Sequence, residues 1–236
     1  MRRQAIESAT RSWIQRFVVR EKLCPFAAAS RILIRVDPFD APEDAIARRV
    51  HEDWKLDPLR SICHAQIALA AIERAERWID ELLEVAVASD STSNLFIVYP
   101  IGLSDPAMYR AFAALLTQRA GLQLAGTTGE GEDAPAIAFP FHPAMRQPSL
   151  GTDQAHAADY RFASPFPMAH IIPQGQLSHA RQQLRARKAA GGTCLLARNK
   201  EVMRAASEAR RQGWESLLAA CHAEAGRVDE SRESKL

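Results

Sequence analysis

Glycine is scarce in this chain, with 11 in 236 residues, and cysteine scarcer, with four. Neither a collagen-like period nor a low-complexity tract is compatible with that composition, in which 47% of residues are hydrophobic and 25% charged. The cysteines, Cys24, Cys63, Cys194 and Cys221, lie far apart and form no Cys-x-x-Cys pair, which excludes a zinc knuckle or a dithiol redox motif. No run approaches the ~18 uncharged apolar residues of a membrane-spanning helix. Met1-Arg2-Arg3 is basic, but Gln4, Glu7, Thr10 and Arg11 stand where a signal peptide needs an apolar core. A cytoplasmic protein with reduced thiols and no membrane partner is expected. A net charge of +2 is too small to mark a nucleic-acid binder. Also missing are a Gly-x-Ser-x-Gly elbow, a His-Glu-x-x-His helix and a suggestive pair of carboxylates. Any hard chemistry would therefore be borrowed from a cofactor.

The glycine-bearing loop 126–133 lacks lysine and carries Glu130, Glu132 and Asp133. A phosphate loop needs backbone N–H groups unopposed by negative charge. The stretch reads as a surface connection, or as an acidic lid for a cationic substrate. Beyond Arg181 basic residues outnumber acidic ones, which fits a solvated helical region.

What is present has the size for one hydrophobic core. Ile6, Trp13, Ile14, Phe17 and Val18 make a helical stripe over 5–20, which Pro25 ends. Ile32 to Val36 reads as a short strand, Ala41 to Trp54 as a helix and Ile62 to Val87 as a long helix. The uninterrupted Leu-Phe-Ile-Val-Tyr within 94–100 predicts a central strand. Asp105 can cap a helix with Pro106 at its first position, running to about Arg119. Leu122–Ala125 and Ala136–Phe141 read as strands, and 175–190, 200–212 and 214–223 as helices. Residues 229–236 read as a frayed tail. The expectation is α+β: a small mixed sheet covered by helices. Residues 1–190 would form the core domain and 191–236 a C-terminal helical appendage, hinged at Gly191-Gly192 and Gln212-Gly213. Its apolar positions favour docking, against the domain or a second copy in a homodimer.

Three stretches carry candidate chemistry. In Leu23-Cys24-Pro25-Phe26 the proline fixes the backbone after the thiol and removes the next N–H, leaving a sulfur on a rigid corner. A thiolate there can be a nucleophile or a soft metal ligand. Phe139-Pro140-Phe141-His142-Pro143 holds a histidine at a strand end, suited to metal ligation or proton transfer. Tyr160 to His170 is stiffened by Pro165 and Pro167, which argue against helix and inner strand, and offers Tyr160, Phe162 and Phe166 to a planar apolar ligand. Taken singly, each stretch also reads as ordinary packing.

Those motifs, Leu23 to Ala27, Phe141 to Pro143 and Ser164 to His170, resemble a family of small bacterial proteins known as an uncharacterised domain. The resemblance spans roughly residues 10–180. It departs just before Ser164, where Phe162-Ala163 replaces the Asn-Arg of the family's members. A looser similarity, on Cys24-Pro25-Phe26 and a later strand-borne histidine, extends to haem-dependent N-oxygenases of the arginine guanidine hydroxylase and 2-aminoimidazole oxygenase type. That similarity implies haem b, dioxygen with an external reductant, and a small amine or guanidine substrate. On that reading Cys24 or His142 ligates the iron, and His170 acts beside the haem. Pro25, Phe26, Phe141, Phe162 and Phe166 wall the pocket. Arg161 pairs with a propionate, and Asp159 or the acidic loop 126–133 holds a cationic substrate. The rival expectations are a cofactor-free enzyme with Cys24 as nucleophile and a non-catalytic binding module.

Overall fold

Helix α1 (Arg3–Trp13) buries Ile6, Ala9, Thr10 and Trp13, a three-to-four-residue spacing that places one face inward. From Ile14 to Val19 the turn widens to a π-helix, which keeps Ile14, Phe17 and Val18 buried. In the computed structural model residues 3–21, 31–37, 58–88, 93–100, 103, 105–124, 134–144, 163–176, 206 and 208–233 are described. The expected helix over Ala41 to Trp54 and most of the one over 175–190 lie outside them.

Strand β1 (Arg31–Val36) falls where the apolar run predicts. Helix α2 (Pro58–Ala88) starts four residues earlier than expected and turns Ala71, Ile72, Ala75, Ile79 and Leu82 inward. Strand β2 (Ser93–Val98) is buried along its whole length, as a run without polar alternation demands. Helix α3 (Pro106–Arg119) begins as the sequence predicts: the Asp105 carboxylate accepts the Met108 N–H at 2.7 Å, and Pro106 occupies the first turn. It ends at Gly121, whose φ of 62° is the left-handed conformation that favours glycine after a helix. Strands β3 (Gln123–Leu124) and β4 (Ala136–Phe141) follow.

The fifth strand corrects the sequence reading. β5 (Met168–Pro173) is buried throughout and lies in the middle of the sheet, in the order β1-β2-β5-β4-β3. Pro165 and Pro167 do prevent pairing where they stand, but the chain is released at Met168. From there Met-Ala-His-Ile-Ile is a buried strand in which only the histidine is polar. Pro173 closes it at a strand end, where a missing N–H is tolerated. Pro140 is tolerated in β4 because β3 pairs only with Ile137 and Ala138. β5 runs antiparallel to both neighbours, between the parallel pairs β1–β2 and β3–β4.

The fold is α+β, a mixed five-stranded sheet with helices on both faces. α2 and α3 cover one face over Leu95, Ile97, Ala138, Ala169 and Ile171. α1 covers the other over Ile34, Val36, Phe96, Val98 and Met168, and helix α4 (Glu208–Glu233) packs against α1. Trp214, Leu217 and Cys221 of α4 share one core with Trp13 and Phe17, and the Trp214 and Phe17 rings lie 5.6 Å apart. The expected break at Gln212-Gly213 is absent. A helical glycine costs only about 1 kcal/mol against alanine, which the burial of Trp214 and Leu217 offsets. α4 also continues to Glu233, through residues expected to fray. Gly191-Gly192 lies outside the described residues. Among those residues no helix is long and apolar enough to cross a membrane.

Candidate functional site

Pairing of β4 with β5 brings two of the three candidate stretches together, with Phe141 opposite Met168 and Phe139 opposite His170. The third, Cys24-Pro25-Phe26, lies outside the described residues, as do Asp159, Arg161, Phe162 and the loop 126–133.

β1, β2 and β4 end at the edge of the sheet where β5 begins, and a polar cluster closes that edge. The Asp37 N–H donates to Val98 O and the Tyr99 N–H to Pro167 O, both at 2.8 Å. Arg74, from α2, donates Nε and a terminal nitrogen to the two oxygens of the fully buried Asp37 carboxylate, at 2.9 and 2.8 Å. Tyr109, from α3, donates its hydroxyl to Met168 O at 2.5 Å. Burial raises the pKa of both Tyr99 and Tyr109. For Tyr99 the charges of Tyr109 and Asp37 act in the same direction and Arg74 against it. For Tyr109 a backbone hydrogen bond at Phe141 opposes the shift. Both hydroxyls stay protonated at neutral pH.

His142 belongs to this cluster, its ring 5.4 Å from that of Tyr109. Ala144 N–H donates to its Nδ1, so Nε2 carries the hydrogen and donates to Leu103 O, both at 3.0 Å. The backbone thus occupies both nitrogens, and neither is open to an iron in this arrangement. Phe166 is fully buried, with His222 of α4 5.5 Å from its ring. The Ser164 hydroxyl donates to Phe166 O at 2.5 Å and helps hold the turn between the two prolines.

His170 lies on the opposite face of the sheet, under α1. Its ring stacks on Phe96 at 4.0 Å and 8°, with Phe139 at 6.0 Å and Phe141 at 6.3 Å. Trp13 packs edge-on against Phe96 and Phe141, at 6.5 and 5.7 Å. Among the described residues His170 Nε2 has no hydrogen-bond partner. Burial lowers the pKa of His170 to about 3, so the ring is neutral across the ordinary pH range. On this side of the sheet Asn94 at both amide atoms, Thr10 at its hydroxyl and Trp13 at Nε1 are also buried without a partner among the described residues. Asn94 stands two residues before Phe96 on β2, hence on the same face of the sheet, and Thr10 lies one turn before Trp13 on α1. Each buried polar atom left unpaired costs about 1–3 kcal/mol, so this face calls for a polar partner.

Sequence reasoning singled out His142 and His170 but missed Asp37, Arg74, Tyr99, Tyr109 and Asn94. A partial signal existed. Arg74 is a cation between the inward Ala71-Ile72 and Ala75, and Tyr99 closes an apolar strand before a proline. The five come from four separate elements, and only the fold places them.

Among the described residues no group of three or more histidine, cysteine or acidic side chains is placed to hold a bare metal ion. A haem asks less of the protein, since one axial ligand can suffice. His170 has the donor chemistry for that, a neutral imidazole with one uncommitted nitrogen among aromatic rings, and in this structure that nitrogen is enclosed by protein atoms. Comparison with protein families, curated proteins and solved structures finds no match for this chain.

Proposed function

We propose that this protein is a haem-dependent oxidoreductase that oxidises a nitrogen of a small amine or guanidine substrate, with His170 as the residue that holds the iron. The observation that supports it is the buried, neutral, unpartnered Nε2 of His170 on the central strand. Haem, when bound, would supply the activation of dioxygen with electrons from an external reductant. The chain's own part is to hold the imidazole neutral by burial and to fix its plane against Phe96. Trp13, Phe139 and Phe141 keep water from it. The Asn94 amide, which can both donate and accept, offers a hydrogen bond on the same face. The choice of a nitrogen substrate comes from the resemblance to N-oxygenases, and a cytoplasmic setting with reduced thiols belongs to the same reading.

Titration of the purified protein with haem tests this. A Soret band should develop with about one haem per chain. His170→Ala should abolish it, and Cys24→Ser and Cys63→Ser should leave it. Failure of the unaltered protein to take up haem removes the proposal. A spectrum lost in Cys24→Ser and kept in His170→Ala would give the iron to Cys24 instead.

A further inference from the structure

A cavity lies between the C-terminal end of the π-helical stretch and α4. Where the π-helical stretch ends, Arg20 N–H reaches back five residues to Gln15 O and Glu21 N–H four residues to Phe17 O. That change of winding sets Arg16, Arg20 and Glu21 along one wall of a cavity of about 390 Å³. Arg210, Gly213 and Trp214 of α4 form the facing wall.

Among the described residues that line this cavity the charges do not cancel. Glu21, only 5% exposed at its side chain, is already committed: it pairs with Arg210 and accepts the Trp214 indole N–H at 3.2 Å. Arg210 in turn lies over the Trp214 ring, 5.8 Å from its centre. Arg16 and Arg20 make no ion pair with any described residue. Among the described lining residues, three arginines against one glutamate leave two positive charges, carried by Arg16 and Arg20 of one helical segment. Gly213 leaves the opposite side open, since a Cβ built there meets nothing within 4 Å.

We infer that this cavity binds a small phosphorylated ligand, its phosphate held by Arg16 and Arg20. A phosphate monoester carries about −1.5 to −2 charges at neutral pH on one compact group, which matches the uncompensated charge. Guanidinium forks grip phosphate with paired, charge-assisted hydrogen bonds. The cavity volume lies within the roughly 300–1,000 Å³ of small-molecule sites. A carboxylate leaves one of the two charges unanswered, and a dicarboxylate spreads its charges over several ångströms. This inference does not rest on the haem reading.

The test is titration of the full chain with inorganic phosphate, read by calorimetry at ionic strength held constant with sodium chloride. Saturable millimolar or tighter binding is expected. Arg16→Gln and Arg20→Gln, both at exposed positions, should each weaken it by about tenfold or more. Gly213→Glu should abolish it, because its carboxylate would take the anion's place, while circular dichroism shows the fold retained. Absence of saturable binding overturns the inference. So does phosphate affinity unchanged in the Arg16→Gln/Arg20→Gln double variant, which would confine both arginines to stabilising the helix end. Succinate binding as tightly as phosphate would replace the phosphate assignment with a dicarboxylate.

Discussion

Substituting His170 with phenylalanine isolates one consequence of burying an imidazole in an aromatic core. The phenyl ring can keep the stack on Phe96 while removing a group that the fold must hold neutral. In the folded protein burial lowers the His170 pKa to about 3, against about 6.5 in the unfolded chain. Below pH 6.5 the unfolded chain therefore takes up a proton that the folded protein refuses. The sign follows: His170 contributes no penalty above pH 6.5, and stability falls by about 1.4 kcal/mol per pH unit from there down towards pH 3. Between pH 7.5 and 4.5 its share of the loss is about 2.7 kcal/mol, a large fraction of an ordinary folding free energy of about 5–15 kcal/mol. Urea unfolding of haem-free protein, followed by circular dichroism at pH 7.5, 5.5 and 4.5, measures it. Wild type should lose about 2.7 kcal/mol more than His170→Phe over that interval. At pH 7.5 the variant should be at least as stable as wild type, because it also removes a buried nitrogen without a partner. Equal losses in the two proteins would show that His170 titrates normally in the folded state, and the buried, uncommitted imidazole would have to be abandoned.

Arg74→Ala should destabilise by about 3 kcal/mol in urea unfolding, because it leaves the fully buried Asp37 carboxylate without its guanidinium partner. The low end of the range applies, since Arg74 is 30% exposed at its side chain. Asp105→Ala removes the acceptor for the Met108 N–H at the start of α3 and should cost about 1 kcal/mol, with Asp105→Ser recovering most of it. Gly213→Ala should raise stability by about 0.5–1 kcal/mol, seen as a higher Tm, because the position is helical, exposed and open around a Cβ.

Local chemistry was enough to place several elements. A capping aspartate followed by proline marks the start of α3 at 105–106, and an apolar run of strand length marks β2, because both signals act between neighbours in the chain. The α+β class follows from the same local patterns. β5 was hidden because Pro165 and Pro167 sit just outside the strand, and the sequence pattern does not say where their restraint ends. Gly213 looked like a break, yet whether a helix tolerates a glycine depends on what its flanking residues bury, and here Trp214 and Leu217 have α1 to pack on.

The two histidines divide the same way. Their residue types and rigid surroundings were legible along the chain, and both marked them as candidates. Only the tertiary structure separated them. His142, one residue beyond the end of β4, meets the carbonyl of Leu103 and the amide of Ala144, so the backbone takes both of its nitrogens. His170, on the central strand, meets Phe96 and other rings and keeps a nitrogen uncommitted. The sequence determined that an imidazole stands at each position. Which imidazole is spent on holding the fold was decided by strand order and register, which depend on contacts between residues distant in the chain.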